Sequence, residues 1–174
     1  MTVAQNFIIG GIEQPIAAIA GFSQDYVDLD ASNTERMADG SLDVATYWSG
    51  KLRTELSGDG WVPPVFSGIA TDAPLVLACG IARAIWSGST AITLPAARRT
   101  DSGHTPLAFA LVDGNLVATD YTLTVNAATL TAVTGASAYV MWYWPQITAV
   151  VLDVSHTGDT AAGLHRWRLV AEEV

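Results

Sequence analysis

Between Ala136 and Val154 the sequence ASAYVMWYWPQITAVVLDV carries large apolar side chains at odd and even positions alike. Tyr139, Met141 and Tyr143 alternate with Val140, Trp142 and Trp144. In an extended segment successive side chains point to opposite faces, so both faces of this strand are apolar. Pro145 interrupts the ladder, and Ile147, Ala149, Val151 and Asp153 then alternate with Thr148, Val150, Leu152 and Val154 in a second strand, apolar on nearly both sides. One face is expected to fill the protein's own core, and the other to need a second protein surface. Tyr139, Met141, Trp142, Tyr143 and Trp144 are therefore the candidates for a contact between copies.

The rest of the chain reads as strands and turns. Lys51, Arg53, Glu55 and Ser57 alternate with Leu52, Thr54 and Leu56 in a half-buried strand that Gly58-Asp-Gly60 ends, and Trp61-Val-Pro-Pro64 follows as a rigid corner with Trp61 expected to plug the core. Leu75 to Ile81 reads as a buried strand. Leu107–Val112 and Leu116–Ala118 flank Asp113-Gly114-Asn115, a hairpin signal. Tyr121–Val125, Thr129–Val133 and His165–Val170 complete the series. The best helix candidates, Thr34–Met37 and Ala78–Trp86, are short or contain poor helix formers. The expected fold is mainly β, an antiparallel sandwich or barrel with long loops and little helix, in one domain over residues 1–174 with an acidic, loop-rich region over residues 1–45. Gln24–Asp43 and Pro95–Thr105 are polar and turn-rich enough to be long functional connections.

Only 14% of the residues are charged, against roughly 25% in an average globular chain. That leaves little charge to clothe a monomer and favours self-association. The formal charge is −9, from 17 acids and 8 bases, and it is unevenly spread: Glu13, Asp25, Asp28, Asp30, Glu35, Asp39 and Asp43 precede residue 44, with Arg36 the only base among them. Tight nucleic-acid binding needs the opposite sign. Arg98-Arg99 is a rare basic pair that either meets the acidic region of a neighbouring copy or sits in a solvated loop. Met1–Pro15 has no basic n-region and no long apolar h-region, so no secretion signal is expected and folding in a cytoplasm is. No membrane span is expected.

The chain offers little chemistry. His104, His156 and His165 lie far apart in sequence, and Cys79 is a single cysteine in an apolar run, so neither a zinc site nor a disulfide is expected. Asp101-Ser-Gly-His104 holds the residue types of a hydrolase triad, yet triad members come from separate elements and need a strained nucleophile turn. Asp28, Asp30 and Ser32 have the spacing of a calcium loop, but the twelfth position is Asp39, where a bidentate Glu is required. No enzyme activity, metal or cofactor is expected. Six tryptophans keep a carbohydrate-binding β-sandwich module open as an alternative.

Glu35-Arg-Met-Ala-Asp-Gly-Ser41, Trp48-Ser-Gly-Lys-Leu-Arg53 and Leu56-Ser-Gly-Asp-Gly-Trp-Val-Pro-Pro64 together resemble the signature of phage tail structural proteins. In that pattern an Arg precedes a Gly-containing turn, a Trp enters a strand carrying Lys-Leu, and a Gly-x-Gly-Trp corner follows. Ala118–Val125, Tyr143-Trp-Pro145 and Glu172-Glu173 are similar to small tail proteins of long, non-contractile tails. The resemblance implies a homo-oligomeric ring, sixfold by family expectation, around the tail channel, as a distal tail or tail tube protein, with head-to-tail joining and tail completion proteins as alternatives. It implies neighbouring tail proteins as partners and the virion as the location, with assembly in the host cytoplasm. DNA would be met only in passage. Asp28, Asp30, Asp39 and Asp43 would then line the channel, where carboxylates let a duplex slide without binding wells, or pair with Arg98 and Arg99 of an adjacent subunit.

Overall fold

The computed structural model describes residues 6–174; the first five residues of the segment inspected for a secretion signal lie outside it. In chain order the strands are β1 (Ile8–Ile9), β2 (Ile12–Glu13), β3 (Ser23–Arg36), β4 (Leu42–Gly60), β5 (Leu75–Ala78), β6 (Arg83–Ser87) and β7 (Ala91–Thr93). Then come β8 (Leu107–Val112), β9 (Asn115–Ala118), β10 (Tyr121–Thr124), β11 (Ala127–Leu130), β12 (Ala136–Tyr143), β13 (Gln146–Asp159) and β14 (Leu164–Glu173). The helical element among the described residues is a 3-10 turn, Ile16–Ala18. Both helix candidates are overturned, because Thr34–Arg36 lies in β3, while Ala78 ends β5 and Arg83–Ser87 forms β6. The fold is mainly antiparallel β in three sheets, and none closes into a barrel.

The chain forms two compact units. One comprises Leu77–Ile147 with the described residues up to Ile8; the other comprises Ile9–Val76 and Thr148–Val174. In the first unit, sheet β6-β12-β8-β9 packs against sheet β10-β11-β7 as a small sandwich. Its core joins Tyr139, Met141 and Tyr143 of β12 and Ala108 and Ala110 of β8 to Ile92, Leu94, Ala128 and Leu130. Asp113 and Gly114, both at positive φ, make the tight turn between β8 and β9 that the sequence announces. Between β10 and β11 the turn is less orthodox, with Val125 at φ 55°, where a β-branched side chain is strained. Arg98 clamps it, donating to the carbonyls of Val125 (2.8 Å) and Pro95 (2.6 Å) and to Asn126 Oδ1 (2.6 Å).

The second unit is built on the sheet β2-β1-β5-β13-β14-β4-β3. Leu52, Thr54 and Leu56 of β4 alternate into its buried face as the sequence predicts, and Leu56 stands in register with Leu169 of β14. Burying such a leucine contributes about 1.5–3 kcal/mol. Trp167 anchors this face: its Nε1 donates to the Ala18 carbonyl (2.7 Å), and its ring meets Phe66 edge-on and Phe22 in a stack. Buried Gln14 bonds both backbone groups of Val65 and holds the following loop down. Gly58 and Gly60 belong to β4 and leave the strand running; a Cβ on Gly58 would stand 2.6 Å from the Trp167 ring, and one on Gly60 would collide with the Ala17 carbonyl. Trp61 does not plug the core, being 71% exposed.

Candidate interaction surface

Strand β12 sorts its side chains as the alternation requires. A bulge between Ala136 and Ala138 turns Ala136 to the core and leaves Ser137 exposed, whereas from Ala138 to Tyr143 odd positions enter the sandwich core and even positions form the sheet's other face. The register there runs Ala84–Trp142–Leu107, then Trp86–Val140–Phe109–Ala118, then Ala138–Leu111–Leu116. Every residue in these rows is apolar and none is fully buried. Phe109 and Trp142 brace each other with ring centroids 4.6 Å apart, while Trp86 stands 75% exposed on β6 at the sheet's edge. Beside it lies a groove of about 290 Å³ lined by residues 80–84, Trp142 and Trp144, with Arg83 its basic member. That volume is at the small end for a drug-sized ligand. It suits one or two inserted side chains.

A second exposed feature is an arm. Gln24–Asp43, expected as a polar connection, is instead strand β3, a short turn and the start of β4, and every residue of 32–36 and 42–50 is exposed. It read as a loop because neither strand end has a buried face to impose alternation. On one face Leu42 and Val44 oppose Arg36 and Thr34; on the other, Asp43 is the direct partner of Glu35. Two facing carboxylates destabilise a ribbon, and an isolated two-stranded ribbon is marginal in water to begin with. The turn is well made, because Asp39 accepts from the amide and hydroxyl of Ser41, which holds its carboxyl below the usual range, and Arg36 donates to the Gly40 carbonyl.

The two units differ sharply in charge. The first carries three acids and three bases, Asp101, Asp113 and Asp120 against Arg83, Arg98 and Arg99; the second carries the remaining fourteen acids and five bases, and so the whole net charge of −9.

The candidate residues separate accordingly. Tyr139, Met141 and Tyr143 fill the sandwich core and present no surface to another copy, and Trp144 is buried with its ring edge-on to His104, contributing only to the lining of the groove. Trp142 is the member of that set on the open face. Arg99 is corrected from an intersubunit contact to an internal staple, while half-buried Arg98 holds the Val125 turn within its own subunit. Arg99 is 1% exposed and donates to the carbonyls of Asn6 (2.7 Å) and Cys79 (2.9 Å) and through two nitrogens to Asp101 (2.9 and 2.6 Å). The Arg99 hydrogen bonds hold the Asp101 carboxyl at about 2, and His104 Nδ1 lies 2.9 Å from the same carboxylate. Asp101 and His104 thus serve a buried guanidinium. Asp28 and Asp30 lie on β3, Asp39 in the arm's turn and Asp43 at the start of β4.

Sequence spacing missed one proximity: His156 and His165 meet across β13 and β14, with Nε2 and Nδ1 3.0 Å apart. They are diagonal neighbours, His156 opposite Trp167 and His165 opposite Gly158, and pairing the two strands over the turn that contains Gly163 was the signal that would have found them. Among the described residues no three His, Cys, Asp or Glu side chains cluster as a metal site, and no helix is long and apolar enough to cross a membrane. Cys79 is buried. No known protein family and no curated protein matches the chain.

Proposed function

We propose that this chain is a structural subunit that assembles with copies of itself, and that the assembly is a ring around the channel of a bacteriophage tail, as a distal tail or tail tube component. The observation that carries the reading is the uncovered face of the β6-β12-β8-β9 sheet, apolar in all three of its rows. A single apolar residue on a surface means little, but a continuous apolar sheet face marks a contact site. A sugar-binding module is served less well by the same face, because a sugar needs hydrogen-bonding side chains beside the aromatic ring and these rows contain only Ala, Val, Leu, Phe and Trp. The unequal charge suits a conduit for DNA, since an acidic wall repels a duplex uniformly and creates no sites at which it would stall. The role is mechanical, with no turnover. Negative-stain microscopy and light scattering of the purified protein test it. Stacked tubes support a tube protein and isolated rings a distal or joining protein; a monomer at high concentration, with no ring or tube, overturns the proposal.

A further inference from the structure

We infer that the occupant of the apolar sheet face is the β3–β4 arm of a second copy, in a head-to-tail contact; the inference rests on the assembly reading above and specifies which surface meets which. Among the apolar surfaces that the described residues expose, the arm and this sheet face are two that a single contact of this kind covers together. On the arm, Leu42 and Val44 share a face at 58% and 53% exposure, and Trp48 follows on the same strand. On the sheet, Trp142, Arg83 and Ala84 line a groove sized for side chains, and Trp86 stands 75% exposed further along β6. Packing sheet face on sheet face would leave the arm's apolar residues in water. Packing arm on arm would set two acidic arms against each other, each carrying the Glu35–Asp43 pair. Charge points the same way: the arm belongs to the unit that carries all of the net −9, whereas the sheet belongs to the neutral unit. Contacts between like acidic units are repulsive, and a contact between the acidic arm and the neutral sheet avoids that cost. Because the two patches differ, the contact is heterologous, so each copy uses its arm once and its sheet once. Such contacts propagate into a closed ring or an open filament.

A mixing experiment tests this. Val44→Asp spoils the arm and Trp86→Asp spoils the sheet face, and both side chains are exposed, so each variant is expected to fold with wild-type circular dichroism. In sedimentation velocity, wild-type protein should assemble beyond the dimer, and each variant alone should be at least tenfold weaker in association. An equimolar mixture should form discrete dimers, because the Trp86→Asp copy still supplies an arm and the Val44→Asp copy still supplies a sheet. If Trp86→Asp blocks assembly while Val44→Asp does not, the sheet faces pack on each other and the arm inference is overturned, with the ring reading intact. A mixture that stays monomeric also overturns it, and wild-type protein that never associates removes both proposals. If either variant fails to fold, a disulfide between Val44→Cys and Ala84→Cys copies provides the same decision, since the native Cys79 is buried.

Discussion

Replacing Asp101 by Asn should destabilise the protein while leaving its shape almost unchanged. The Arg99 guanidinium is sealed from water, and Asp101 is its counter-charge, bound through two nitrogens. An Asn side chain keeps one acceptor, so one hydrogen bond survives and the charge is left unbalanced. Breaking a buried pair by removing one partner costs about 3–5 kcal/mol. Asp101 itself is 44% exposed, so water partly replaces the lost carboxylate and the expected cost falls to roughly 2–3 kcal/mol. Acid provides an independent check. The carboxyl is lowered from 3.8 to about 2 by Arg99, so its contribution is complete above pH 3.8 and is lost as pH falls towards 2. The nominal linkage of about 2.4 kcal/mol is reduced by solvent screening to about 1 kcal/mol. Urea unfolding followed by fluorescence and circular dichroism at pH 7 and pH 2.5 measures both quantities. The wild-type protein should lose more stability than the variant on acidification. A cost below 0.5 kcal/mol at pH 7, or equal acid sensitivity in the two proteins, would refute the assignment of Asp101 as the counter-charge of a buried arginine.

Val125→Gly should stabilise the protein by about 1 kcal/mol in thermal melts by relieving a positive φ, net of the entropy that glycine loses; no gain would mean that the turn is unstrained. Arg98→Ala removes three hydrogen bonds, two of them to that turn and one to Pro95, and should cost about 2 kcal/mol, most of which Val125→Gly should not restore. Gly58→Ala should cost about 1–3 kcal/mol by forcing the Trp167 ring to shift, with a blue-shifted or broadened tryptophan emission as the accompanying signature. Trp167→Phe keeps the ring contacts and leaves the Ala18 carbonyl without its donor, at about 1–3 kcal/mol in the same urea assay.

How far the sequence could be read depended on whether a residue had a buried face to answer to. Alternation in Lys51–Ser57 and Tyr139–Tyr143 was legible because one side of each strand packs on a core, and Asp113-Gly114 was legible because only a few residue types tolerate its backbone. The arm was not, since its distal residues meet no core and their polarity mimics a loop. Gly58 and Gly60 looked like a strand end because glycine weakens strands; Gly58 is kept by a tryptophan 109 residues further along the chain and Gly60 by the 3-10 turn before β3, neither of which local sequence reveals. The same blindness to distant partners made Arg98 and Arg99 look available. Their acceptors are mostly backbone carbonyls, which leave no mark in the sequence. The open face of β12 was the exception, because two-sided apolarity in one short segment already implied one face more than the sandwich core could use.

The interleaving of the two units has a consequence for synthesis on the ribosome. Residues 77–147 form nearly all of the first unit as one unbroken stretch, so it can close as soon as it emerges. The larger sheet has to wait: β4 pairs with β14, and the Glu55–Arg168 ion pair spans 113 residues. Until β14 is made, Thr54 and Leu56 have no ladder partner on that side, and the nascent chain carries an unsatisfied strand through most of its translation. At about 5–20 residues per second, the gap of some hundred residues lasts roughly 5–20 seconds. Pausing within residues 61–147 should therefore lengthen the aggregation-prone interval, whereas pausing after β14 should be harmless.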